Sequence, residues 1–533
     1  MEVGYATFLP LMLSDLLAAG AASDLATRLR KLAGIQIAAD CAVQQLQALQ
    51  QCTGLTHLEF RGKGMQHCSA EQGHPTAAEL TAAFRGMSKL TVLCIQRWKL
   101  QFRGVEAALT PALWPLTQLQ HLHIVDSRLE AAGVEALAPA LSAMRGLQML
   151  DLKHNSRKGV EWAQALCTLL GDVPGLKHLN VSSSGLGKEG AALLAPVLRG
   201  VTCLQRLNLS FTLLHDMGIA ALAPALAALP CLHTLDVSDN ELEASAVSAL
   251  QPVLARKSSP LRKLDLSNQL KLEGAHALAA RLSAATQLPG LRLYNTKLGD
   301  VGWVVLAPAL SCLAASLRSL ELGHDRVDDA GLAALAPALQ KLTGLTCLKA
   351  KGFINLAAMV TISPALMGMR RLQVLDLHRT AMGVDGIAAF AAVLPALAGS
   401  LVHLDLSYCC IDAKTAAKAL APALAQATGP VKLRLGDTDF GQQAVQWLVP
   451  VLSALPHLPH QLDLYSCQLG LQGCIAVVQA LKDRDGARVR AGSYGVSSVR
   501  YSELRQEMRW LIPGVPHRVR RSDRGLWWYT WAL

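Results

Sequence analysis

The sequence predicts an α/β solenoid: about fifteen stacked strand–helix units, bent into a horseshoe with a parallel β-sheet on the concave face and α-helices on the convex face. Three observations predict it. A frame Leu-x-x-Leu-x-Leu recurs fifteen times, and its period-2 apolar alternation reads as a short strand. Successive frames start 27–29 residues apart, with a single step of 35. Of 533 residues, 17% are charged, below the roughly 25% of an average globular protein, which excludes disorder for most of the length. Only 5% are aromatic, so the core is expected to be Leu, Ala and Val packed by periodicity. A unit this small cannot bury its own apolar faces, and the units must stack.

The frames start at Leu55, Leu90, Leu119, Leu147, Leu176, Leu204, Leu232, Leu261, Leu288 and Leu317, then at Leu345, Leu372, Leu401, Pro430 and Pro459. The long step lies between Leu55 and Leu90, where a loop around residues 71–75 takes up the extra length. Three residues past the frame comes a small or hydrogen-bonding side chain, such as Asn155, Ser184, Thr212, Asn240, Thr296, Thr380, Cys409 or Cys467. Buried under a turn, it must satisfy backbone groups locally. A glycine follows at fixed offset (Gly133, Gly190, Gly218, Gly302, Gly331, Gly386, Gly473) and is expected to permit tight entry into an Ala-rich helix. Prolines 111, 139, 196, 224, 252, 308, 337, 364, 422 and 450 recur near one helix offset. Either each helix starts just before its proline, or a kink falls on the same face of every repeat.

This pattern, Leu-x-x-Leu-x-Leu-x-x-(Asn/Cys/Thr)-x-Leu at a 28–29-residue period, resembles the ribonuclease-inhibitor-like leucine-rich repeat family over residues 55–481. The resemblance implies the horseshoe fold and, in general, protein binding. It names no partner, because one fold carries many functions.

Flanking the repeats, residues 1–54 lack the frame but hold helical apolar spacings (Leu25, Leu29, Leu32; Leu46, Leu49), and an N-terminal helical cap is expected there. Residues 482–533 carry eleven Lys/Arg against five Asp/Glu, and four of the nine tryptophans. They are expected to form a basic, Trp-rich C-terminal cap or tail. Basic residues interleaved with aromatics, here Arg518, Arg520, Arg521, Trp527 and Trp528, can also serve an acidic partner or nucleic acid.

No phosphate-binding loop, HExxH helix or Gly-x-Ser-x-Gly elbow occurs in the sequence, and the histidines show no zinc-ligand spacing with Cys or Asp. The expectation is a non-enzymatic protein with no cofactor, no metal and no catalytic residue. Thirteen cysteines without a CxxC pair are expected to be reduced thiols, which places the protein in the cytoplasm. Neither a basic signal-peptide n-region nor an apolar run of membrane-spanning length is found, so no membrane association is expected.

Function is expected to lie on the sheet. The residue between the second and third frame positions should face the open side, and eight of its fifteen occurrences are acidic: Glu59, Asp151, Asp236, Asp265, Glu321, Asp376, Asp405 and Asp463. Within this polar strip, His123–Asp151 and His378–Asp376 are the pairs that acid–base chemistry could use. The preferred partner-binding residues are Arg97, His154, Phe211, Arg292, Tyr294, Lys349, Lys351, Arg379 and Tyr408, because aromatics and arginines dominate interface energetics. The net charge of +11 favours a partner with an acidic surface. The reading is therefore a monomeric interaction scaffold, of cytoskeletal or axonemal type. The alternative is a regulator of a GTPase or another enzyme, with nucleic-acid binding through the tail a third and less favoured reading.

Overall fold

The computed structural model describes residues 30–37, 47, 49–62, 77–97, 105–156, 159–255, 260–268, 270–283, 285, 287–324, 327–352, 357–409, 411, 415–426, 432–438, 441–454, 461–481, 488–492, 517–521 and 527–532. The chain divides into two units, Met1–Asp265 and Leu266–Leu533.

The first unit opens with β1 (Lys31–Ile37), which runs parallel to β2 (His57–Gly62) through a bulge between Leu32 and Ile35. Leu32, expected on a helix, thus sits in a strand. The edge of β2 would otherwise expose unpaired backbone groups, and the segment with Leu32, Ile35 and Ile37 pairs with it across the bulge. Leu25, Leu29, Leu46 and the loop at 71–75 lie outside the described residues. Strands follow at β3 (Val92–Gln96), β4 (His121–Val125), β5 (Met149–Asp151), β6 (His178–Asn180), β7 (Arg206–Asn208), β8 (Thr234–Asp236) and β9 (Lys263–Asp265). Their register sets one leucine beside the next, from Leu58 through Leu93, Leu122, Leu150, Leu179, Leu207 and Leu235 to Leu264. All eight are buried. Burial of each such side chain contributes about 1.5–3 kcal/mol, and because the column is shared, no repeat gains it alone.

The second unit repeats the scheme with β10 (Gly290–Tyr294), β11 (Ser319–Gly323), β12 (Cys347–Lys351), β13 (Val374–Asp376), β14 (His403–Asp405), β15 (Lys432–Arg434) and β16 (Gln461–Tyr465). The sheet extends past the last frame: β17 (Arg488–Gly492) is parallel to β16. An antiparallel pair then follows, β18 (His517–Arg521) against β19 (Trp527–Ala532), with β19 also antiparallel to β17. Switching direction at this point ends the parallel stack.

Helices connect the strands, as the period demands, and they bury the predicted Leu/Ala face. In Ala131–Ala143, for example, Val134, Leu137, Ala138, Ala140 and Leu141 are buried. Each of these prolines is exposed; the helices Ala131–Ala143, Gly187–Leu198, His215–Ala228, Gly299–Cys312 and Asp329–Lys341 continue through theirs, whereas Gln251–Leu254 and Ala421–Gln426 start just before Pro252 and Pro422. Both alternatives thus occur, and the solvent-side placement is common to all ten. On the solvent side, water can take the carbonyl that a proline leaves without a donor, which lowers the usual cost of about 3 kcal/mol.

The helix-entry glycines act by close approach. A Cβ at Gly190 would lie 3.0 Å from Ala163 Cβ, and one at Gly302 would lie 2.7 Å from Leu298 Cβ. Capping is supplied across repeats. Asp216 Oδ1 accepts the Glu243 amide (2.8 Å) at the start of Ala244–Ala249, and Asp300 Oδ1 accepts the Asp328 amide (2.7 Å) ahead of Asp329–Lys341. No helix among the described residues is long and apolar enough to cross a membrane.

Candidate functional site

The buried polar position under each turn does what its chemistry requires. Asn240 Oδ1 accepts from the Thr212 and Leu214 amides (3.0 and 3.2 Å), while its Nδ2 donates to the Leu209 and Val237 carbonyls (2.7 and 3.0 Å). Cys409 and Cys467 donate to the Leu377 and Leu435 carbonyls (3.1 and 3.0 Å). Burial raises the Cys467 thiol to about 12, so it stays protonated and remains a donor.

One residue earlier, the backbone turns left-handed in almost every repeat. Arg97, Asp126, His154, Ser183, Phe211 and Asp239 in the first unit have φ between 51° and 59°. Asn268, Asn295, His324, Arg379, Tyr408, Asp437 and Ser466 in the second have φ between 54° and 63°. For a non-glycine residue this costs about 1 kcal/mol or more. The ladder maintains it. Most of these amides donate to the neighbouring repeat, as in Phe211 to Ser238 O (2.9 Å), His324 to Lys351 O (2.8 Å) and Arg379 to Ser407 O (2.9 Å). Arg97, His154, Phe211, Arg379 and Tyr408, all selected from sequence, occupy this rim and are exposed.

The acid strip is only partly the solvent-facing strip that the sequence predicts: Glu59, Asp236 and Asp463 are half-buried. Asp151, Asp265, Asp376 and Asp405 are buried. Three of these short side chains fold back onto the backbone: Asp151 Oδ1 accepts the Lys153 amide (3.2 Å), Asp376 Oδ1 the His378 amide (3.1 Å) and Asp405 Oδ1 the Ser407 amide (3.0 Å). This also changes the two candidate acid–base pairs. His123 Nδ1 lies 3.5 Å from Asp151 Oδ2, but the other oxygen is fixed to the backbone. Asp376 meets the His378 amide.

In the second unit the strip is a charge ladder. Glu321 holds Arg292 (2.7 Å) on one side and Lys349 (3.2 Å) on the other. Lys351 pairs with Asp376 (2.8 Å), and Arg434 with Asp405 (3.4 Å). Two residues chosen as partner contacts, Arg292 and Lys349, are thus shared by one carboxylate within the sheet.

Four others come together. At the ends of β10 to β14, Tyr294 packs on His324 (centroids 4.8 Å apart) and His378 meets Tyr408 edge-on (5.0 Å). Arg379 lies over the Tyr408 ring at 6.0 Å, and Lys351 stands between, on Asp376. Two glycines allow the approach. Gly323 has φ 138°, and a Cβ there would lie 2.0 Å from Lys351 O; Gly352 has φ 66° and faces the His324 ring. Cations and carboxylates both act on this cluster: Arg379 and Lys351 on Tyr294 and His324, and Asp405 and Asp376 against them at His378. Burial first, then the charges of Arg379 and Lys351, hold the His324 imidazole below its ordinary range, and burial dominates at His378. Tyr294 is raised by burial, against the pull of Lys351 and Arg379. Among the described residues Arg379 has no ion-pair partner.

His324 and His378 escaped the sequence selection as contact residues, although His324 shares the turn offset of Arg379 and Tyr408. Arg97, His154 and Phe211 belong to the first unit, on the separate turns after β3, β5 and β7; Arg97 pairs with Asp126 (3.4 Å). In the tail, register places Arg520 opposite Trp528 and Arg521 opposite Trp527, with Arg518 opposite Thr530. Among the described residues no group of three or more His, Cys, Asp or Glu could hold a metal ion.

Parallel strands alternating with helices at a 28–29-residue period define a leucine-rich repeat solenoid. Three segments, 176–195, 228–250 and 400–418, match the Leucine Rich repeat family model, which supports a leucine-rich repeat protein. No curated protein matches the chain.

Proposed function

We propose that the chain is a non-enzymatic scaffold that holds an acidic, aromatic-bearing protein segment at the strand ends of the second unit. The observation that carries this reading is the cluster Tyr294, His324, Lys351, His378, Arg379 and Tyr408. Two cations and four rings converge on the ends of mutually paired strands, so little ordering cost is incurred on binding. Arg379 offers a planar donor fork to a carboxylate, and the tyrosines supply apolar area with a polar tip. Aromatic and arginine side chains are the types that dominate interfaces. The carboxylates of the strip are spent on backbone amides and neighbouring cations, which further supports binding over proton transfer.

The test uses fluorescence anisotropy with a labelled Glu/Tyr peptide. Arg379→Asp/Tyr408→Ser places at both turns residue types that already occupy this offset elsewhere, at Asp239 and Ser183. The expected result is a roughly tenfold rise in Kd, about 1.4 kcal/mol, with binding that weakens in salt. Equal binding by the variant contradicts the reading.

A further inference from the structure

The turn after β7 departs from its neighbours in a way the fold does not require. Over residues 211–217 it reads Phe-Thr-Leu-Leu-His-Asp-Met, and the same seven offsets one repeat earlier, 183–189, read Ser-Ser-Gly-Leu-Gly-Lys-Glu. Thr212 and Leu214 are buried like their counterparts Ser184 and Leu186. The other positions differ in kind. Phe211, Leu213 and Met217 are 58%, 47% and 68% exposed. Phe211, Leu213 and His215 all have positive φ, at 54°, 59° and 49°, where the earlier repeat places Ser183, Gly185 and Gly187. Left-handed non-glycine residues also occur in the turns that follow, at Asp239 and Glu241 and at Asn268, Leu270 and Lys271, so what sets this turn apart is its three exposed large apolar side chains. Their exposure opposes solubility, and the left-handed angles at Leu213 and His215 add strain that glycine would avoid.

The surroundings are acidic. Asp216 lies in the turn itself, Asp239, Glu241 and Glu243 lie on the turn that follows, and Glu189 on the one before. Against them stand Lys188, which pairs with Glu189 at 3.8 Å, and His215, whose Nδ1 lies 3.4 Å from Glu241. We propose that this turn is a second docking surface, in the first unit, for a cationic amphipathic helix of a protein partner. Phe211, Leu213 and Met217 meet its apolar face, and the carboxylates meet its lysines and arginines. The inference is independent of the site in the second unit.

The test grafts the earlier turn onto this one: Phe211→Ser, Leu213→Gly, His215→Gly and Met217→Glu in the full chain. The probe is a fluorescein-labelled Leu/Lys amphipathic helix, with a Leu/Glu helix of the same pattern as control. The wild type is expected to bind the Leu/Lys helix and not the Leu/Glu helix. The graft is expected to bind the Leu/Lys helix at least tenfold more weakly while melting at a higher temperature, so lost binding is not lost folding. Arg379→Asp/Tyr408→Ser is expected to leave this affinity unchanged, and the graft to leave Glu/Tyr peptide binding unchanged. Equal affinity of graft and wild type for the Leu/Lys helix, or equal binding of both helices by the wild type, overturns the proposal.

Discussion

Asn240 and Thr212 lie one repeat apart, and Asn240 Oδ1 accepts both the Thr212 amide (3.0 Å) and the Thr212 hydroxyl (3.1 Å). With its Nδ2 on the Leu209, Val237 and Ser238 carbonyls, one side chain satisfies backbone groups of two repeats. Asn240→Leu leaves several of these buried groups without partners. It is expected to cost about 3 kcal/mol or more in urea denaturation. Cys409→Ser keeps a donor for Leu377 O and is expected to cost less than about 1 kcal/mol.

Two tryptophans at one helix offset differ in a single hydrogen bond. Trp162 Nε1 donates to Leu129 O at 3.1 Å, whereas Trp303 Nε1 has no acceptor among the described residues. The repeat before Trp303 is 27 residues long, and its counterpart of Leu129 is Leu270, whose carbonyl accepts the Gly274 amide (3.0 Å) at the start of the helix Lys271–Leu282. Its carbonyl is therefore directed into the helix ladder. Trp162→Phe is expected to cost about 1 kcal/mol more than Trp303→Phe, in thermal or urea unfolding of the two variants.

The leucine column continues unbroken within each unit, so a charge placed in it has no polar refuge. Leu235→Asp and Leu404→Asp are each expected to destabilise by more than about 3 kcal/mol. Hydrogen exchange should accelerate most in the substituted repeat and its immediate neighbours, because stability in a repeat array is a nearest-neighbour sum.

Five strand and turn histidines, His121, His178, His324, His378 and His403, are held below the ordinary value of 6.5, in each case with burial as the largest cause. As pH falls below about 6.5 the unfolded chain therefore takes up protons before the folded one, and stability is lost. The urea midpoint is expected to fall between pH 7.5 and 5.5. His121→Gln/His178→Gln should flatten that dependence in the first unit, and an unchanged slope in the variant contradicts the assignment.

The fold was legible because a repeat multiplies a weak local signal. Leu-x-x-Leu-x-Leu at one place is a short strand; at fifteen places it fixes strand, register and core, from Leu58 to Leu264 and from Leu291 to Leu462. Side-chain direction at the open face was less legible. Aspartates alternating with leucines read as exposed, because nothing in the pattern shows that Asp376 turns back onto the His378 amide. The rim positions Arg379 and Tyr408 were found by residue type, and His324 at the same offset was passed over. Its contact with Tyr294 depends on Gly323 and Gly352 bringing two strand ends together. β1 lacked any frame to find it by, since its bulge breaks the alternation.

The measurement that bears most directly on the scaffold reading is affinity capture from nuclease-treated lysate with quantitative mass spectrometry. It compares three full-length proteins: wild type, Arg379→Asp/Tyr408→Ser, and Arg518→Ser/Arg520→Ser/Arg521→Ser. A protein is expected to be enriched by the wild type and the tail variant and lost by the rim variant. Loss in the tail variant with retention in the rim variant contradicts it, and would move the binding element to the C-terminal strands.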